Sequence, residues 1–122
     1  MILMLALMLT LTANMAKADD FSDGLEAALV GDYATALKLW KPLAESGDAE
    51  AQYNLGWMYD NGYGLLQDHK RAHMWYNISR SNGEKEHAGD NIEVISRIMS
   101  PSDILKAQDM ARKCVDSGYQ DC

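Results

Sequence analysis

His69 and His73, four residues apart, are the first pair in the sequence whose spacing could do chemistry. On a helix that offset puts both imidazoles on one face, as a divalent metal requires. Lys70 and Arg71 stand between them, and no glutamate is placed to activate a metal-bound water. Two ligands beside two cations make a poor metal site. Both histidines, and His87, are therefore expected on solvated helix surface. Asp60, Asp68 and Asp90 lack the alternating ligand spacing of a calcium loop. The stretch Gly62-Tyr63-Gly64-Leu65-Leu66-Gln67 lacks the third glycine and the preceding buried strand of a phosphate loop, and reads as a turn. Neither Gly-x-Ser-x-Gly nor Ser-x-x-Lys occurs, so no serine is set up as a nucleophile. Two cysteines and three histidines cannot complete a four-ligand zinc site of the common spacings. No catalytic residue, metal or cofactor is expected.

One stripe is suited to binding. Glu50, Tyr53, Trp57 and Asp60 recur at i, i+3, i+7 and i+10, away from a face formed by Ala51, Leu55, Met58 and Tyr59. Aromatic residues flanked by acids have hot-spot composition. The competing reading packs Trp57 against a neighbouring helix with no ligand. Positioning such a stripe takes helices, expected at about 20–30, 33–46, 49–61, 69–82, 86–99 and 101–117. Asp32, Asp48 and Asp68 each precede an apolar-periodic run, as N-caps do, and Ser100-Pro101-Ser102-Asp103 is a further helix start. Ala72, Trp75, Tyr76 and Ser79 form the inward face of the fourth helix. No stretch alternates with period two long enough for a sheet, so the chain reads as all-α.

The chain has 122 residues, 48% of them hydrophobic, and a formal net charge of −7. That length fits one domain, and the apolar share excludes a disordered chain. The acidic balance argues against nucleic acid as a partner. Residues 1–13 form an apolar run too short to span a bilayer, followed by Ala16-Lys17-Ala18, a small-x-small cleavage signal. Cleavage after Ala18 would leave a mature chain from Asp19, periplasmic or secreted, with no stable membrane anchor. No Lys or Arg precedes the apolar run, which places the expected start of translation a few residues upstream. No cysteine adjoins the cleavage signal, as a lipoprotein anchor would require.

A period of 36 residues runs through the mature part. Gly47 recurs as Gly83, Ala36 as Ala72 and Trp40 as Tyr76. Such periods mark stacked helix pairs. Residues 49–59, Ala-Glu-Ala-Gln-Tyr-Asn-Leu-Gly-Trp-Met-Tyr, then Gly62, Gly64, Asp68, Ala72 to Tyr76 and Gly83, resemble a Sel1-like repeat of the tetratricopeptide-like class. The resemblance implies an α-solenoid of about three units. These are a lead-in half-repeat over 19–47, a best-formed repeat over 48–83 and a degenerate capping repeat over 84–122. Gly56 would let the two helices of a unit approach, Gly62 and Gly64 would reverse the chain at positive φ, and Tyr59 and Trp75 would fill the space between units.

By similarity to such repeats, the Glu50, Tyr53, Trp57 and Asp60 stripe would line a concave surface that docks a protein or peptide partner. The resemblance implies a non-enzymatic adaptor of the bacterial envelope; the alternative, from the cysteine-rich branch, is a β-lactam-binding or β-lactamase-like protein. Cys114 and Cys122 resemble the cysteine pairs of that branch, and export would permit their oxidation. A disulfide pinning the C-terminus is expected, with free thiols or an intermolecular link as the alternative.

Overall fold

The computed structural model describes residues 2–122, with side chains at residues 11, 12 and 14–122. Six helices form among the described residues: α1 (Ile2–Leu29), α2 (Tyr33–Glu45), α3 (Ala49–Asn61), α4 (His69–Ser81), α5 (Glu86–Ser96) and α6 (Pro101–Asp116). No strand occurs among these residues, and no helix is long and apolar enough to cross a membrane. The chain is an all-helical, tetratricopeptide-like solenoid.

Local chemistry explains where the helices begin. Asp48 accepts from the Ala51 N–H at 2.8 Å, Asp68 from the Arg71 N–H at 3.1 Å, and Asp32 from the Thr35 N–H at 3.2 Å. Each aspartate satisfies an amide that a helix start leaves unpaired. Ser100 does the same for Asp103, with Pro101 in the first turn. Helix α5 has no side-chain bond at its cap position; the carboxylate of Glu84 accepts the His87 N–H instead. Gly62 ends α3 in the left-handed region at φ 71°, where a β-carbon would be strained. Helix α5 ends at Ser96, three residues short of expectation, and the largest difference is at the N-terminus. Helix α1 starts at Ile2 rather than near residue 20, because no Gly or Pro interrupts the chain before Gly24 and Leu, Ala and Met are strong helix formers.

The first two helix pairs close in the same way. A glycine on the first helix admits a large ring from the second. A β-carbon at Gly24 would overlap the Trp40 indole, and one at Gly56 would lie 2.6 Å from the Tyr76 ring. Ala36, Ala51 and Ala72 are fully buried around these contacts, with Leu55 and Trp75 beside them. The third pair is open. Helices α5 and α6 scarcely touch each other, and each packs on α4. Helix α4 therefore has neighbours on several sides, and residues 72–76 are all buried.

That position corrects the expectation for His73. It is buried, only 2% exposed, and its Nδ1 lies 2.8 Å from the Asn77 amide. Desolvation, and secondarily the charge of Arg80, holds its imidazole below the ordinary range. His69 is half-buried and approaches Asp60 at 3.7 Å, so it too is partly withdrawn from solvent. His87 is on the surface as expected, with Glu84 at 3.0 Å raising its pKa.

Candidate functional site

Helix α3 carries the stripe that the sequence singles out, and the structure divides it. Glu50 is exposed. Tyr53 is half-buried; its hydroxyl accepts from the Asn91 amide at 3.0 Å, and burial pushes its pKa up. Trp57 is half-buried too, its ring 4.9 Å from that of Tyr63 and 6.1 Å from that of Tyr33. Asp60 points elsewhere. Its Oδ2 accepts from the Tyr76 hydroxyl at 3.2 Å, and its backbone carbonyl accepts from the Gln67 amide at 2.7 Å. Burial, with the Asp60 charge second, pushes the Tyr76 hydroxyl far above the usual phenol range, so this bond is donated at any ordinary pH.

Tyr53 and Trp57 instead meet helix α1. Together with Leu25, Ala28, Leu29 and Asn54 they line an open, mostly apolar groove of about 380 Å³. Leu29 is 85% exposed and Leu25 42% exposed, so the α1 wall offers bare aliphatic surface. Sequence reasoning did not assign the α1 residues or Asn54. The signal was present in the glycine clasps: Phe21 and Leu25 flank Gly24 at the offsets at which Tyr53 and Trp57 flank Gly56. The rings follow suit, with Phe21 6.1 Å from Trp40 and Tyr53 5.6 Å from Tyr76. Gly24 stands 16 residues before Trp40, whereas Gly56 stands 20 before Tyr76, which hides the correspondence from a fixed period.

The remaining motif residues serve this arrangement. Gly64, at φ 75°, lies against Tyr33 where a β-carbon would come within 3.0 Å, so the turn after α3 holds the Tyr33 and Tyr63 rings stacked at 4.5 Å beside Trp57. Tyr59 is half-buried against the core near Trp75, with the Arg71 guanidinium 6.0 Å from its ring centre. Two serine hydroxyls are engaged in structural bonds inside the fold, Ser79 donating to the Ala49 carbonyl at 2.7 Å and Ser117 to that of Cys114 at 2.8 Å. Among the described residues, no group of three or more His, Cys, Asp or Glu is placed to hold a metal.

At the far end, Cys114 and Cys122 form a disulfide with Cα atoms 4.6 Å apart. It folds the tail back so that the Tyr119 hydroxyl accepts from the Asn82 amide at 3.1 Å. Asn82 also donates to Gln52, which donates to the Ala44 carbonyl at 3.0 Å. One polar chain thus links all three helix pairs.

The family model for the Sel1 repeat matches residues 21–48 and 49–84. The chain belongs to the Sel1 repeat family. The matched segments coincide with the two clasped pairs, α1–α2 and α3–α4, and stop before α5. Compared with curated proteins and with solved structures, the chain has no significant match in either set. Sel1 repeats generally mediate protein–protein interaction and are typically non-enzymatic scaffolds. In this Sel1 repeat protein, the groove between α1 and α3 is lined by residues of both matched segments.

Proposed function

We propose that this Sel1 repeat protein is an exported, non-enzymatic adaptor that docks a protein partner along a concave face formed by α1, α3 and α5. The observation that carries the reading is the open groove in which Tyr53 and Trp57 face Leu25 and Leu29. Large amphipathic rings beside bare aliphatic surface have the composition of an interface centre. Glu50 is exposed on α3 one turn before Tyr53, while Asp60 acts on the partner only by fixing α4 and the turn after α3. The apolar segment before Asp19 and the oxidised cysteine pair support a periplasmic or extracellular site of action.

The test is photo-crosslinking in live cells from a reactive amino acid at Leu29, compared with one at Lys106 on α6. Crosslinks from position 29 that vanish with Trp57→Ala, and none from 106, are expected. Trp57→Ala should lower the melting temperature less than Leu55→Ala, whose core truncation costs ~2–5 kcal/mol. Equal losses would make Trp57 core and end the docking assignment. The mature terminus of the exported material should be Asp19 by mass spectrometry; an intact Met1 in soluble cytoplasm would remove the export part.

A further inference from the structure

The helices are sorted by charge. From Asp19 onward, α1, α3 and α5 carry nine acidic residues and no Lys or Arg. Helices α2, α4 and α6 carry eight Lys and Arg against four acids. The net charge of −7 is therefore concentrated on the row of helices that holds the groove. Ion pairing is sorted in the same way. Six of the eight cations of the other row stand in ion pairs among the described residues, such as Lys41 with Glu45, Lys70 with Asp103 and Lys113 with Asp109, whereas Lys38 and Arg80 stand in none. Of the acids carried by that row of helices, Asp20, Asp23, Glu26, Glu50, Glu86 and Asp90 stand in no ion pair among the described residues, and all six are exposed. The field of this face is felt by its one imidazole: Glu84 raises the pKa of His87 most, and Glu86 and Asp90 add to it. A second observation concerns the groove wall. The side-chain amide nitrogen of Asn54 is shut off from solvent and has no hydrogen-bond partner among the described residues.

We infer that the segment docked between α1 and α3 is a cationic peptide stretch of another protein, with an apolar anchor seated in the groove and flanking Lys or Arg over the acidic rim. The inference rests on the docking reading above and names the partner's chemistry. Each part has its own ground. The lining of Leu25, Ala28, Leu29, Tyr53 and Trp57 takes an apolar side chain. Asn54 lies in the same wall, and its buried amide serves as a local reporter of an anchor seated there. The uncompensated acids on three adjacent helices raise the local concentration of a positive segment and disfavour an acidic one.

The test uses the full chain, labelled with ¹⁵N, and three synthetic peptides followed by NMR at the Trp57 indole and the Asn54 side-chain amide. One peptide has Leu-Leu-Trp flanked by lysines. The second has the same centre flanked by glutamates. The third keeps the lysines around Gly-Ser-Gly. Only the first is expected to shift both signals, with affinity falling as salt rises from about 0.05 to 0.5 M. Glu26→Lys with Glu50→Lys should weaken it by about fivefold or more, whereas Lys38→Glu on α2 should not. Equal shifts by the acidic or the Gly-Ser-Gly peptide would overturn the inference and leave the docking reading standing. No shift of these signals by any of the three would overturn both.

Discussion

The two matched helix pairs and the third pair solve one packing problem by different means. In α1–α2 and α3–α4 a glycine receives an indole or phenol ring, and the helices close on each other. In the third pair Ala111 follows Ala107 at the offset at which Trp40 follows Ala36 and Tyr76 follows Ala72. With no ring to seat, α5 and α6 separate and lean on α4, leaving Val94, Ile98 and Leu105 exposed. The disulfide then fastens the end that packing leaves loose. Stacked repeats draw stability from their own interior and from their neighbours. The first two pairs have both sources, whereas the third depends on its neighbour and a covalent bond.

Breaking a clasp should have the largest effect. Trp40→Ala removes a buried ring whose indole N–H donates to the Phe21 carbonyl at 3.2 Å. A loss of about 3–5 kcal/mol in urea unfolding is expected; a loss below about 1 kcal/mol would mean that the ring does not close the pair. Replacing Cys114 and Cys122 together by serine should cost about 2–3 kcal/mol on the chain-entropy account. Its signature should be local. Hydrogen exchange should rise at the end of α6 and in the tail while α3 keeps its protection, and equal loosening of α3 would contradict the contrast between the pairs.

The same substitution should change sign between regions. Gly56→Ala forces a methyl into the Tyr76 ring and should destabilise by about 1–3 kcal/mol. Gly89→Ala on α5 meets nothing nearer than Arg80 Cδ at 4.0 Å, so it should stabilise by up to about 1 kcal/mol through helix propensity. Matching signs in thermal unfolding would remove the distinction.

The smallest effect concerns pH. The pKa of His73 is lowered in the fold, so the unfolded chain takes up a proton that the native state refuses. Stability should therefore decline as pH falls below about 6.5, the value of an unperturbed histidine. His87 is raised and works in the opposite direction, contributing stability at low pH that is lost as pH climbs through its elevated value. His73→Gln should abolish the decline in melting temperature between about pH 7 and about pH 5.5, above the range in which Asp32 and Asp109, both lowered, titrate. An unchanged decline would assign it to other groups.

Local rules were the most legible part of the sequence. Asp32, Asp48, Asp68 and Ser100 cap helices because a cap is decided within four residues, and Gly62 and Gly64 reverse the chain for an equally local reason. Burial of His73 was not legible, because the periodicity of α4 cannot reveal that α3, α5 and α6 surround it. The site was half legible. Tyr53 and Trp57 lie on a recognisable stripe, but their counterpart is the α1 wall of Leu25, Ala28 and Leu29, and pairing across 24 residues or more has no mark in either helix alone. Asp60 shares the spacing of the stripe and belongs to the contact with Tyr76, since a helical offset of ten returns only approximately to the same face.

The turn between α1 and α2 occupies residues 30–32, whereas that between α3 and α4 occupies residues 62–68. The four extra residues account for the whole difference between the glycine-to-ring spacings of the two clasps. Repeat length is thus a property of the turn and not of the helices, and insertions or deletions can accumulate there across generations without disturbing either clasp. Residues on the two sides of such a turn are not equally free to drift: Gly64 is pressed on Tyr33 and Gln67 is bonded to Asp60, while Leu66, 89% exposed, stands clear. Position 66 is where this architecture can acquire new sequence, whether by descent or by a graft of foreign residues, and keep its frame.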